Sequence, residues 1–160
     1  MEKQIWKYLE EVADPEIPVI SVVDLGIIRA IRTESGGRVH ITLTPTYLGC
    51  PAMQDIKTAI RLKMHEKGIH KIEIEEKLNP AWTTEDISEV GKEKMSAFGI
   101  APPRTKVSAG KLFEEEEGIP CPRCQSENTQ LISQFGSTAC KALYQCQTCK
   151  EPFDYFKCHH

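Results

Sequence analysis

CPRCQSENTQLISQFGSTACKALYQCQTC, residues 121–149, opens and closes on a Cys-x-x-Cys pair: Cys121 and Cys124, then twenty-one residues, then Cys146 and Cys149. Four thiolates spaced this way can converge on one tetrahedral ion. Zinc takes four sulfurs at about 2.3 Å, and a closed four-sulfur shell leaves no position for water. The spacer is slightly longer than usual for paired knuckles, an excess that a longer hairpin absorbs. Disulfides are the competing use of these thiols. Against them, six of the seven cysteines fall in the last forty residues, and two tandem knuckles are hard to obtain by chance. The same four cysteines also admit a rubredoxin-type iron, because both metals accept tetrahedral sulfur.

Composition bounds the rest of the chain. Its 160 residues allow one ordinary domain, or a small one plus a metal-stapled module. The 40% apolar and 27% charged content is that of a soluble globular protein. A net charge of −3 gives no general attraction to nucleic acid or an anionic membrane, so neither is expected as a partner. No apolar run approaches the roughly 20 residues that span a bilayer. MEKQIWKYLEEV, residues 1–12, has no signal-peptide core, so the expected setting is cytoplasmic. Cysteines in such a reducing compartment are better read as ligands or reactive groups than as disulfides.

Upstream of the knuckles the pattern is α-β-β-α-β-α. Ile5, Trp6, Leu9, Val12 and Ala13 mark one face of a helix from Lys3 to Ala13, which Asp14-Pro15 stops. A strand over Ile27–Arg32, a turn at Glu34–Gly37 and a strand through Val39, Ile41 and Leu43 make a hairpin. A second helix runs from Ala52 to Lys67 with Met53, Ile56, Ile60 and Met64 on one side, and Gly68 ends it. A strand follows over Lys71–Leu78. A last helix is expected from Thr84 to Phe98, capped by Thr83 with Asp86 three residues on. The expected fold class is therefore α+β with a small mixed sheet over residues 1–100, a linker over 101–118, and a zinc-ribbon β module over 119–160. About forty residues are too few for a core alone, so metal binding should supply much of that module's folding free energy. Phe135, Tyr144, Phe153, Tyr155 and Phe156 are expected to pack around its hairpins. The run Glu114–Glu117 reads as solvated linker.

Two irregular loops carry the candidate chemistry outside the knuckles. The first holds Asp14, Glu16 and Asp24, with Pro15 and Pro18 stiffening it. Those carboxylates either sit in a defined site or cap local backbone donors. The second places Cys50 between Gly49 and Pro51 at a helix entrance, where partial positive charge and free N–H groups favour a thiolate. Cys50 is thus a nucleophile, a soft metal ligand, or a small buried turn residue. Thr44, Thr46 and Tyr47 are candidates to line the same place. Cys140 and Cys158 are either spectators or additional metal ligands. The terminal His159 and His160 resemble a tag remnant and are not counted as ligands.

DPEIPVISVVDLG, residues 14–26, followed by TPTYLGCP, residues 44–51, resembles the iron–sulfur assembly domain of SufT- and MIP-type proteins. CPRC at 121–124 with FGSTACKALYQCQTCKEPFDYFKC at 135–158 looks like the tail of the PaaD family of phenylacetyl-CoA epoxidase components, and Ala81–Thr84, AWTT, fits it too. The resemblance covers nearly the whole chain except the linker. It implies an accessory subunit of a bacterial complex that epoxidises phenylacetyl-CoA, with the di-iron oxygenase and reductase chemistry in other subunits, which are the implied partners. It implies that Cys50 is the reactive or cluster-binding cysteine of the assembly domain, contacting iron or an iron–sulfur cluster transiently. Asp14, Glu16 and Asp24 match the domain's acidic loop, and Cys121, Cys124, Cys146 and Cys149 match the ribbon. One departure is a linker without cysteine or histidine, so it offers no extra ligands.

Three other readings compete with metal maturation. One is an acyl-CoA-handling enzyme with Cys50 as nucleophile, which needs a base such as His40, His65 or His70. His65 is about 22 Å along the helix from Cys50 and too far. A second is a structural adaptor with no metal transfer. The third, a nucleic-acid module, lacks the basic excess: Arg123, Lys141, Lys150 and Lys157 are offset by Glu127, Glu151 and Asp154.

Overall fold

A computed structural model describes residues 1–47, 49–103, 118–138 and 141–156. Cys140, Cys158, His159, His160, the Glu114–Glu117 run and most of the expected linker lie outside the described residues. The architecture is α+β with two mixed sheets, and the chain divides into two compact units. One unit comprises residues 1–82 with 86–88, the other 83–85 with 89–160.

The first unit begins with α1 (Glu2–Glu10), whose Ile5 and Leu9 are fully buried. The helix stops before Ala13 because the chain is drawn into a closed loop. The Val22 N–H donates to the Val12 carbonyl, Ala13 bridges Ser21, and the Asp14 N–H donates to the Ile20 carbonyl. Strands β1 (Ile28–Thr33) and β2 (Val39–Leu43) form the antiparallel hairpin. Its turn carries Gly36 and Gly37 at positive φ, which only glycine adopts freely. Helix α2 (Ala52–Glu66) then crosses over to β3 (Ile72–Glu76), which runs parallel to β2. The sheet order β1-β2-β3 puts β2 in the centre. Its Val39, Ile41 and Leu43 are fully buried, as are Ile60 and Met64 of α2. Each such side chain contributes roughly 1.5–3 kcal/mol relative to exposure.

Helix α3 is shorter than its sequence suggested, spanning Glu89–Phe98, and is preceded by a 3-10 turn at Thr84–Asp86. The Asp86 carboxylate accepts a hydrogen bond from Arg29 at 3.2 Å. Ser88, immediately before α3, is tied to the first unit instead. Its N–H donates to the Asp24 carbonyl at 2.9 Å and its hydroxyl to the Asp24 carboxylate at 3.1 Å.

The boundary also differs from the expected seam after residue 100. Helix α3 and the short β4 (Ile100–Ala101) belong to the second unit, and Ala101 is strand rather than linker. The cause is strand pairing: β4 lies parallel against β7 (Pro152–Phe156). β7 pairs with β6 (Lys141–Cys146), and β6 with β5 (Thr129–Ser133), in the order β4-β7-β6-β5. The core of this unit gathers Ile119, Ala142, Tyr144, Phe153 and Tyr155 with the sulfurs of Cys121 and Cys146. Tyr144, Phe153, Tyr155 and Phe156 are buried as expected, whereas Phe135 is 60% exposed.

Candidate metal centre and the Cys50 loop

The two knuckles are built alike. In the first, the Gln125 N–H donates to the Cys121 carbonyl at 2.8 Å, and Gln125 then turns left-handed with φ 64°. In the second, the Cys149 N–H points to the Cys146 sulfur at 3.4 Å, and Lys150 turns left-handed with φ 66°. Outside the cysteines, Arg123 pairs with Glu151 at 2.8 Å and the Ser126 and Thr148 hydroxyls meet at 2.8 Å, joining the knuckles.

This framework places the four sulfurs within 4.8 Å of one another. Cys121 and Cys149 are 3.7 Å apart, and Cys124 and Cys146 3.5 Å. A disulfide would need about 2.05 Å. Four sulfurs at about 2.3 Å from a tetrahedral centre stand about 3.8 Å from each other, so these separations fit a bound metal. Two of the thiols respond to the crowding in opposite senses. The Cys149 N–H, together with the Thr148 N–H and the Cys124 and Cys149 thiols, pulls Cys146 down to about 6 against burial. The Glu151 N–H pulls on Cys149 as well, but burial and the Cys124, Cys146 and Cys121 sulfurs push it up to about 12. A cation at the centre would relieve this conflict by favouring all four thiolates. Cys140 and Cys158, the additional candidates, lie outside the described residues.

Cys50 precedes Pro51 and α2, and its thiol is half-buried. Burial pushes the Cys50 thiol up, while the Ala52 N–H and the Tyr47 hydroxyl pull it down. The Glu16 and Asp14 carboxylates add to the rise, and the net direction is up. The helix end alone suggested a thiolate; desolvation and two nearby carboxylates outweigh it. Of the sequence candidates, Tyr47 is thus in hydrogen-bond reach of Cys50, and Glu16 and Asp14 act on it through their charge.

Asp14 also closes its own loop, accepting the Glu16 and Ile17 N–H groups on Oδ1, each at 2.8 Å. Asp24 is used differently. Its carboxylate receives the Ser88 hydroxyl at 3.1 Å and the Ser21 N–H at 3.4 Å, and its own N–H donates to the Ser21 hydroxyl. That is the capping role weighed for it from the sequence. Thr44, only 1% exposed, keeps a hydroxyl with no hydrogen-bond partner among the described residues.

The histidines stand elsewhere. His40 lies between Glu34 at 3.0 Å and Glu73 at 3.5 Å, near the hairpin end of β2. His65 and His70 meet edge to face at the far end of α2, 5.0 Å between ring centres. None is among the groups that chiefly set the Cys50 thiol. The sequence did not reveal the Arg29–Asp86 pair, the Trp82 Nε1–H bond to the Leu25 carbonyl at 2.8 Å, or the left-handed residues after each knuckle.

Comparison with known proteins divides the chain similarly. The family model for an iron-sulfur cluster assembly protein matches residues 2–74, and that for the PaaD zinc beta ribbon domain matches 105–157. The putative D component of 1,2-phenylacetyl-CoA epoxidase from Escherichia coli (strain K12) is 46% identical over 97% of this chain and 92% of its own length. An Fe-S protein maturation auxiliary factor of Porphyromonas gingivalis is 37% identical over 55% of this chain and 84% of its own. Among solved structures, a domain of unknown function (DUF59) from Bacillus anthracis is 27% identical with a TM-score of 0.56, covering 59% of this chain and 90% of that one. Among the described residues no helix is long and apolar enough to cross a membrane. With both halves matched in order and one relative aligned along nearly its full length, the chain belongs to the PaaD family of phenylacetyl-CoA epoxidase components.

Proposed function

We propose that this protein is a cytoplasmic accessory subunit of a phenylacetyl-CoA epoxidase system that assists iron or iron–sulfur loading of the oxygenase or reductase subunits. The observation that carries this reading is the division of labour between two thiol environments. One unit has a complete four-sulfur centre. The other has a single half-buried thiol beside Glu16, Asp14 and Tyr47. The maturation factors similar to its first half support the same reading.

The four cysteines would hold zinc, which supplies a structural cross-link because four sulfurs leave no open coordination position. The ribbon is then a rigid recognition platform. Cys50 is the transient contact for an iron or iron–sulfur cargo: a lone thiolate holds such a species loosely enough to pass it on, which a closed shell does not. Burial, with a smaller contribution from Glu16 and Asp14, keeps that thiol protonated until a cation arrives, so capture of the cargo releases a proton. Nucleophilic acyl transfer is disfavoured by the raised thiol and by the distant histidines.

The test is metal and acid-labile sulfide analysis, with a visible spectrum, on tag-free protein isolated without oxygen. About one zinc per chain, plus iron and sulfide that vanish in Cys50→Ser, is expected. Iron persisting in Cys50→Ser would assign it to the C-terminal cysteines. Unchanged epoxidase activity and iron content in cells carrying Cys50→Ser would remove Cys50 from the pathway.

A further inference from the structure

Among the described residues, strand β3 is an outer strand of the first sheet and pairs only with β2. Two flanking bonds fix the direction of its backbone groups. The Lys71 carbonyl accepts from the Val39 N–H at 2.9 Å, and the Lys77 N–H donates to the Leu43 carbonyl at 2.8 Å. Backbone groups of alternate residues point to opposite sides of a strand. Residues 71, 73, 75 and 77 therefore address β2, while Ile72, Ile74 and Glu76 direct their N–H and C=O groups away from the sheet.

Side chains on this edge are equally ordered. Ile72 and Ile74 register with Val39 and Ile41, which are fully buried, yet remain half-buried themselves. Glu73 and Glu75 are on the opposite face, with side chains 60% and 59% exposed. Glu73 pairs with His40 at 3.5 Å and Arg38 at 4.0 Å and Glu75 with Lys77 at 3.6 Å, surface contacts weak enough to exchange.

An open strand edge is a template for another strand. A second copy of this chain is a poor occupant, because antiparallel pairing of two β3 edges opposes glutamates to glutamates. We infer that β3 is the docking edge for an extended segment of another protein in which Lys or Arg alternates with β-branched apolar residues. The cations would lie beside Glu73 and Glu75 on one face. The apolar side chains would extend the row of Ile72 and Ile74 on the other, and the main chain would satisfy the outward groups of Ile72, Ile74 and Glu76. This inference is independent of any role for Cys50.

The probe is the peptide acetyl-TKVKVKVT-amide, added to the full-length, zinc-loaded, 15N-labelled protein. The expected result is saturable shifts and slowed deuterium exchange at the Ile72, Ile74 and Glu76 amides, weakened by salt. The charge-swapped peptide acetyl-TEVEVEVT-amide should leave them unmoved. The surface variant Glu73→Lys/Glu75→Lys should bind the first peptide roughly tenfold more weakly. Shifts spread over other elements, or equal binding of the two peptides, would overturn the inference. So would slow exchange of the same three amides without peptide, whether from dimerisation or from this chain covering its own edge.

Discussion

Gln125 and Lys150 occupy equivalent positions in the two halves of the ribbon: each follows the second cysteine of its knuckle, and each has a left-handed backbone, φ 64° and 66°. A residue with a Cβ is strained there by about 1 kcal/mol relative to glycine. The strain is tolerated because the turn brings the flanking cysteine sulfurs together. Gln125→Gly and Lys150→Gly should each raise the thermal stability of the metal-loaded ribbon by about 0.5–1 kcal/mol, and Gln125→Val should lower it by a similar amount or more. Calorimetry at fixed metal concentration checks this.

Metal removal should act selectively. Cys121 and Cys146 share a core with Tyr144, Phe153 and Tyr155, so the aromatic packing depends on what holds the sulfurs. Chelation at neutral pH should release about one ion per chain and abolish the near-ultraviolet dichroism of Tyr144 and Tyr155. The far-ultraviolet signal of α1 and α2 should persist. Cys121→Ser should have the same spectral effect without chelator.

Cys50 provides a pH-dependent test. Its folded thiol is raised, so the folded state holds the proton more tightly than the unfolded one. The resulting stability is present below the ordinary thiol value and is lost as pH rises through the folded value. Alkylation of Cys50 by iodoacetamide near pH 8 should therefore be slower than that of an unperturbed cysteine. Glu16→Gln removes one of the raising charges and should speed it, as followed by peptide mass spectrometry on zinc-loaded protein.

Asp24 should behave unlike Glu16. It joins residues 21 and 88 through backbone and side-chain bonds, so Asp24→Ala should cost about 1–2 kcal/mol in denaturant unfolding. Alkylation of Cys50 should stay unchanged in that variant. An altered rate would show that Asp24 belongs to the thiol's surroundings after all.

Gly26 is a sharper constraint in the same loop. Its φ is +78°, and an added Cβ would stand 2.1 Å from the Asp86 carbonyl oxygen. Since backbone must yield on both sides, Gly26→Ala should destabilise by about 3 kcal/mol or more, read from the shift in denaturant midpoint.

Local spacing made much of this molecule legible in advance. Met53, Ile56, Ile60 and Met64, with Gly68 beyond them, located α2 to within a residue or so. The knuckles were equally readable because their cysteines lie three residues apart within each pair, and the fold brings all four sulfurs within 4.8 Å of one another. What escaped was set by partners distant in sequence. Asp86 pairs with Arg29, fifty-seven positions away, which no local pattern announces. Strand β4 is two residues long and exists because β7 lies beside it. The helix end at Cys50 argued for a thiolate, and only folding shows burial, and after it two carboxylates, opposing it.

The pairing of β4 with β7 also decides how the protein can be cut. A C-terminal fragment begun at Gly118, where the metal-binding segment starts, would leave the β7 edge bare where Ile100 and Ala101 lay against Asp154 and Tyr155. Such a piece would chelate metal yet present a sticky, unfinished flank. A fragment begun at Thr83 retains α3 and β4, and is the shorter half that should remain monomeric in solution.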